Sequence, residues 1–239
     1  MSCFASMRGR RPMRSVAVLC ALGGSTLLLA ACGNAETNEA SAAAPAQTTP
    51  AATSPSLSED QAERKDLVPK AKVSWDKAAA TAVKEVPRGK LTHLELKRTP
   101  RDATATPGSP SPSTPNPAPS PGAPEWAAEV AAEDGTIHRV DIDAVNGKVF
   151  RTQADPDQDA DDKREITDRL GNARQSPEQA VRAATGRTKG TVTGVDLDEN
   201  DDRRLIWSVD VVTTDNWHKT TYDVDASNGR VLREHVDRD

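Results

Sequence analysis

Asp141-Ile-Asp-Ala-Val-Asn-Gly-Lys-Val149 and Asp223-Val-Asp-Ala-Ser-Asn-Gly-Arg-Val231 are one phrase written twice. The match runs backwards from there. Trp126, Ala128 and Val130 correspond to Trp207, Val209 and Val211, and the stretch Gly89–Leu96 corresponds to Gly190–Leu197. Earlier still, Ser74-Trp-Asp-Lys-Ala78 mirrors Ser176-Pro-Glu-Gln-Ala180. A repeat whose parts recur in fixed order implies two copies of one small module.

Each copy opens with a helical pattern. Trp75, Ala78, Ala79, Ala82, Val83 and Val86 fall on one helical stripe. In the second copy Ser176, Pro177 and Gln179 make a capping box with proline at the first helical position, and Gly186 is the expected stop. Alternating strands follow, Trp126 to Ala132 in one copy and Leu205 to Val211 in the other. The next strand carries Val140 and Ile142, or Tyr222 and Val224. It ends at Asn146-Gly147 or Asn228-Gly229, a pair that readily supplies the positive backbone angles of a tight turn. The expected fold is α+β: two tandem modules, each one helix packed on a small antiparallel sheet of three to four strands.

That order of elements resembles the PepSY family. The small-faced helix, the Gly-x-Val-x-x-Val strand, the Trp-x-Val-x-Val strand and the turn Asp-Ala-x-Asn-Gly-x-Val are its signature, spanning about 73–153 and 174–236. Copy one departs by Val140 where copy two has Tyr222, and by a proline-rich insertion. The resemblance implies a non-catalytic module that binds, and inhibits or modulates, a secreted or membrane-associated peptidase. It supplies no catalytic residues and no cofactor.

The N-terminus reads as an address. Arg8, Arg10, Arg11 and Arg14 precede an apolar run that closes Leu28-Leu29-Ala30-Ala31-Cys32, the form of a secretory signal. Its end resembles a bacterial lipobox, which implies lipidation of Cys32 and attachment to the outer face of the cytoplasmic membrane. The other cysteines, Cys3 and Cys20, lie in the discarded part. No thiol is then left for a disulfide, a cluster or a nucleophile. Removal of four arginines and no acid makes the mature chain more acidic than the full chain's −5, which argues against a nucleic-acid partner.

The chain therefore divides into a signal peptide at 1–31, a disordered tether at 32–58, a first module at 59–154, an acidic link at 155–173 and a second module at 174–239. The first module contains a disordered proline-rich insertion at 99–124, where copy two has only a short turn.

Little in the chain has the spacing of chemistry. The aspartates from Asp155 to Asp162 invite a calcium reading, but Ala160 stands at the sixth position and Ile166 at the twelfth, where a calcium loop needs glycine and glutamate. His93, His138, His218 and His235 show no helical pairing and no cysteine neighbour, so no metal is expected. Asp141/Asp143 and Asp223/Asp225 recur at the same turn, where turn chemistry explains them better than a duplicated site. Trp217, at a hairpin tip where copy one has Asp134-Gly135, is either folded back on the sheet or an exposed binding anchor, and is the candidate binding residue. The expected function is peptidase binding from a lipid anchor. The alternative is a structural or assembly role in the cell envelope, with the proline-rich segment contacting cell wall.

Overall fold

The computed structural model describes residues 57–103 and 116–238. The signal, Cys32, most of the tether and the centre of the insertion lie outside these residues. In chain order the elements are α1 (Glu59–Leu67), a 3-10 turn (Val68–Lys70), α2 (Trp75–Glu85), β1 (Lys90–Arg98), β2 (Pro124–Ala131), β3 (Ile137–Asp143) and β4 (Val149–Ala154). The second half adds α3 (Ala160–Asn172), α4 (Pro177–Thr185), β5 (Thr191–Glu199), β6 (Leu205–Val212), β7 (Lys219–Asp225) and β8 (Val231–Asp237).

The fold is α+β, but the halves do not carry separate sheets. One antiparallel sheet of eight strands runs in the order β4-β3-β2-β1-β5-β6-β7-β8. The seam is short: His93 faces Asp196, Leu94 faces Val195 and Glu95 faces Gly194. In the repeat alignment Glu95 corresponds to Asp196 and His93 to Gly194, so the seam is an approximate two-fold centred on Leu94 and Val195.

Each half builds its core alike. Trp126 and Trp207 are 1% and 2% exposed. Each indole N–H donates over 2.9 Å to a carbonyl just before the neighbouring helix, that of Val73 for Trp126 and of Gln175 for Trp207. The Ala144 carbonyl oxygen accepts from the N–H groups of Lys72 and Val73, and the Ala226 oxygen from those of Arg174 and Gln175. Small side chains on the helices (Ala78 and Ala82, Ala180 and Ala184) are fully buried, which lets the backbone lie close on the sheet. Trp75 packs against both cores, so the halves share apolar surface as well as a strand pair.

Several expectations need revision. The acidic link is largely helix: Asp159 accepts from the N–H groups of Asp161 and Asp162, and the Asp162 carboxylate returns to the Asp159 N–H. Two of the aspartates that resembled a spoiled calcium loop, Asp159 and Asp162, thus form a capping box, favoured further by the helix dipole. Helix α1 was not anticipated, although Ser58 and Gln61 form the same box. Gly186 does cap α4, but at a right-handed φ of −67°. In the duplicated turn only Gly147 and Gly229 adopt positive φ, 77° and 76°. The asparagines act through their side chains instead, accepting from the Lys148 and Arg230 N–H groups at 2.9 Å. The insertion is narrower than the 99–124 expected. Thr99 pairs with Ala123 and Gly122, and Pro124 already belongs to β2.

Candidate functional site

The duplicated aspartates divide their labour. Asp143 and Asp225 hold the turns. The Asp143 carboxylate accepts from the Val145 N–H at 2.7 Å, and that of Asp225 from the Ser227 N–H at 2.8 Å. The Ser227 hydroxyl, first among several donors, holds the Asp225 carboxyl below its usual range. Asp141 and Asp223 instead face away from the cores. Each pairs with an arginine ten positions on: Asp141 with Arg151, and Asp223 with Arg233 at 3.1 Å. Burial pushes the Asp223 carboxyl up, and Arg233 opposes the shift.

The same sheet face carries a buried carboxyl unique to the first half. Glu125 is wholly buried, neither of its oxygens has a hydrogen-bond partner, and the nearest cation, Lys97 Nζ, is 3.9 Å away. Asp141 Oδ1 also lacks a hydrogen-bond partner, with Arg139 Nε at 3.5 Å. Burial, and then the Asp141 charge, raise the Glu125 carboxyl above its ordinary value. At the equivalent register position the second half has buried Ile206.

Of the histidines, His93 sits at the seam, 3.1 Å from Asp196 Oδ1. That hydrogen bond, with the charges of Asp196, Glu129 and Glu95, raises its pKa against the opposing effect of burial. Among the described residues no group of three or more His, Cys, Asp or Glu is placed to hold a metal ion. No described helix is long and apolar enough to cross a membrane.

Trp217 is folded back. It is half-buried and packs against the core of the first half, so the hairpin of one half contributes to the packing of the other. Its backbone takes a left-handed φ of 61°, where Gly135 takes 84° in the equivalent hairpin. The Trp217 N–H donates to the Thr213 carbonyl at 3.0 Å, and its own carbonyl accepts from Arg64 Nε at 2.7 Å.

The surface best suited to holding another chain is an edge. Among the described residues strand β4 pairs only with β3 and β8 only with β7, so each ends the sheet. They are not equally open. Asn116 Nδ2 donates to the Val149 carbonyl at 2.8 Å and Phe150 is buried, which partly closes the β4 edge. Along β8, Arg233, Glu234 and His235 are exposed. Among the described residues nothing is bonded to the outer backbone of 231–236. An unpaired strand edge is a template for a further strand. This feature was missed in the sequence, where the second half's last strand reads like any other.

Residues 174–235 match the PepSY family, described as the peptidase propeptide and YPEB domain, and the matched stretch takes in α4 and β5 to β7 with most of β8. No curated protein matches the chain. Among solved structures, a crystallised protein of Clostridium difficile 630 described as a lipoprotein is similar at 18% identity. The match covers 70% of this chain and 94% of that one, with a TM-score of 0.39.

Proposed function

We propose that this protein is a non-catalytic binder, anchored through a lipid on Cys32 at the outer face of the cytoplasmic membrane, that holds and restrains a secreted or envelope peptidase. The observation that carries the reading is the open β8 edge lying within the PepSY domain. A strand added there gains main-chain hydrogen bonds along its length, while specificity comes from the side chains alternating beside them. The acidic balance of the chain suits a protein partner rather than nucleic acid.

The test is capture and inhibition. The full chain slows a secreted metallopeptidase of its own organism without being consumed, and turns over no peptide, ester or phosphate substrate itself. Glu234→Pro, which removes a backbone donor from the exposed edge, weakens capture by about tenfold, equivalent to ~1.4 kcal/mol, with the melting temperature little changed. Cys32→Ser abolishes metabolic lipid labelling and leaves precursor or released protein. Indifference to every secreted peptidase, with binding to isolated cell wall retained, would move the assembly role ahead. Hydrolysis that persists through repeated purification would overturn the binding reading.

A further inference from the structure

Helix α1 is held differently from the helices that cover the sheet. Its last residue, Leu67, and the following Val68 are buried in the first core. From Glu59 to Asp66 only Gln61 is buried, and the contacts are polar. On one side they reach the second half. Arg64 donates to the Trp217 carbonyl at 2.7 Å and to Asp237 Oδ2 at 3.1 Å, and Gln61 Nε2 donates to the Arg238 carbonyl at 3.3 Å. On the other side Arg98 Nε and Nη2 reach Glu63 and Asp66 at 3.0 and 2.9 Å. A cavity of about 290 Å3 separates the helix from the sheet, with Leu96 and Val212 in its wall.

Two physical points follow. A helix of nine residues is too short to persist unaided, so its order depends on these contacts. The Arg98 pairs with Glu63 and Asp66 are exposed and screened by salt, the more buried Arg64–Asp237 pair is screened less, and Leu67 and Val68 are anchored by apolar burial that salt does not weaken. The arrangement is an arm with a fixed pivot. Its free part grips the Trp217 hairpin and the last residues of β8, the strand that offers its edge.

We propose that α1 is a releasable latch on the β8 edge, held by charge and pivoting at Leu67–Val68. Opened, it frees the end of β8 at Asp237 for the incoming strand of a partner. This deepens the binding reading and rests on β8 as the docking edge. The chain between the lipid and the sheet joins this arm, so the latch is also the first of the described elements that a pull on the anchor reaches.

Hydrogen–deuterium exchange on the full chain tests the latch without a partner, so its failure is separable from failure of the peptidase reading. In low salt, amides of 60–66 should exchange through a local opening, well before those of β1 to β8. Raising salt to about 1 M, where the screening length falls to ~3 Å, should speed that exchange about tenfold and increase acrylamide quenching of tryptophan. Arg64→Ala should do the same in low salt, leaving exchange in the buried strands unchanged. Exchange of 60–66 only together with the sheet, at every salt concentration, would show that α1 is an integral part of the fold and sink the proposal. So would an Arg64→Ala chain whose α1 amides stay as protected as in wild type.

Discussion

Glu125 and Ile206 occupy the same place in the two halves, and the difference between them can be measured. A buried carboxyl without hydrogen-bond partners is tolerated as the neutral acid and resists ionisation. Because burial raises its folded-state pKa, the stability it allows is fully present below the ordinary carboxyl value. It is then lost as pH rises through the raised one. Glu125→Ile, copying the second half, should remove that loss. At pH 7 the variant should be more stable than wild type by about 1–3 kcal/mol, with a flatter stability profile between pH 4 and 7 in denaturant titrations. A variant less stable than wild type at pH 7 would mean that Lys97 and Arg151 hold Glu125 ionised at a net gain.

Among the elements, the strands and the two helices α2 and α4 were legible because the repeat supplied two readings of each. Trp126 and Trp207 fixed the register, and the capping box at Ser176 fixed a helix start. Helices α1 and α3 escaped because their sequences are polar with short apolar stripes, so periodicity said little. Only the boxes at Ser58 and Asp159 marked them. The Asp–Arg pairs were visible in the repeat as a common offset of ten, yet the turn motif beside them drew the reading to turn chemistry. Glu125 was invisible, since its burial depends on the register of β2 and on what covers the sheet. The insertion now has a sharper boundary. Deleting 104–115 and joining Ala103 to Asn116 keeps the Asn116 bond to β4 and the Thr99 pairing. It should shift stability by only about 1 kcal/mol, the scale of loop-closure entropy, with a single cooperative melt retained. A broad or split melt would show that 104–115 docks on the fold.

At the scale of the whole molecule, the two halves are joined by a three-pair seam, by Trp75, by Trp217 packed on the first core and by the Arg64 bonds to the second half. His93 makes the seam sensitive to pH. Its pKa is raised chiefly by Asp196, so its contribution is complete below the ordinary imidazole value and is lost as pH rises through the raised one. The side chains are 32% and 42% exposed, so solvent screening keeps the effect small, at about 0.5 kcal/mol. His93→Gln should accordingly flatten the stability profile between pH 6 and 8, and an NMR titration should place the His93 pKa above that of a free imidazole. A normal His93 titration would remove the seam from the list of pH-dependent contacts. The unequal ends of the sheet have a different consequence. A sheet open at both edges is a two-handed monomer, and such monomers propagate into fibres by adding copies end to end. Here Asn116 holds part of one hand. A monomer with one hand free and the other hindered extends slowly past its first partner, as a chain-growth retarder does in polymer chemistry, so crowding these proteins should favour pairs over filaments.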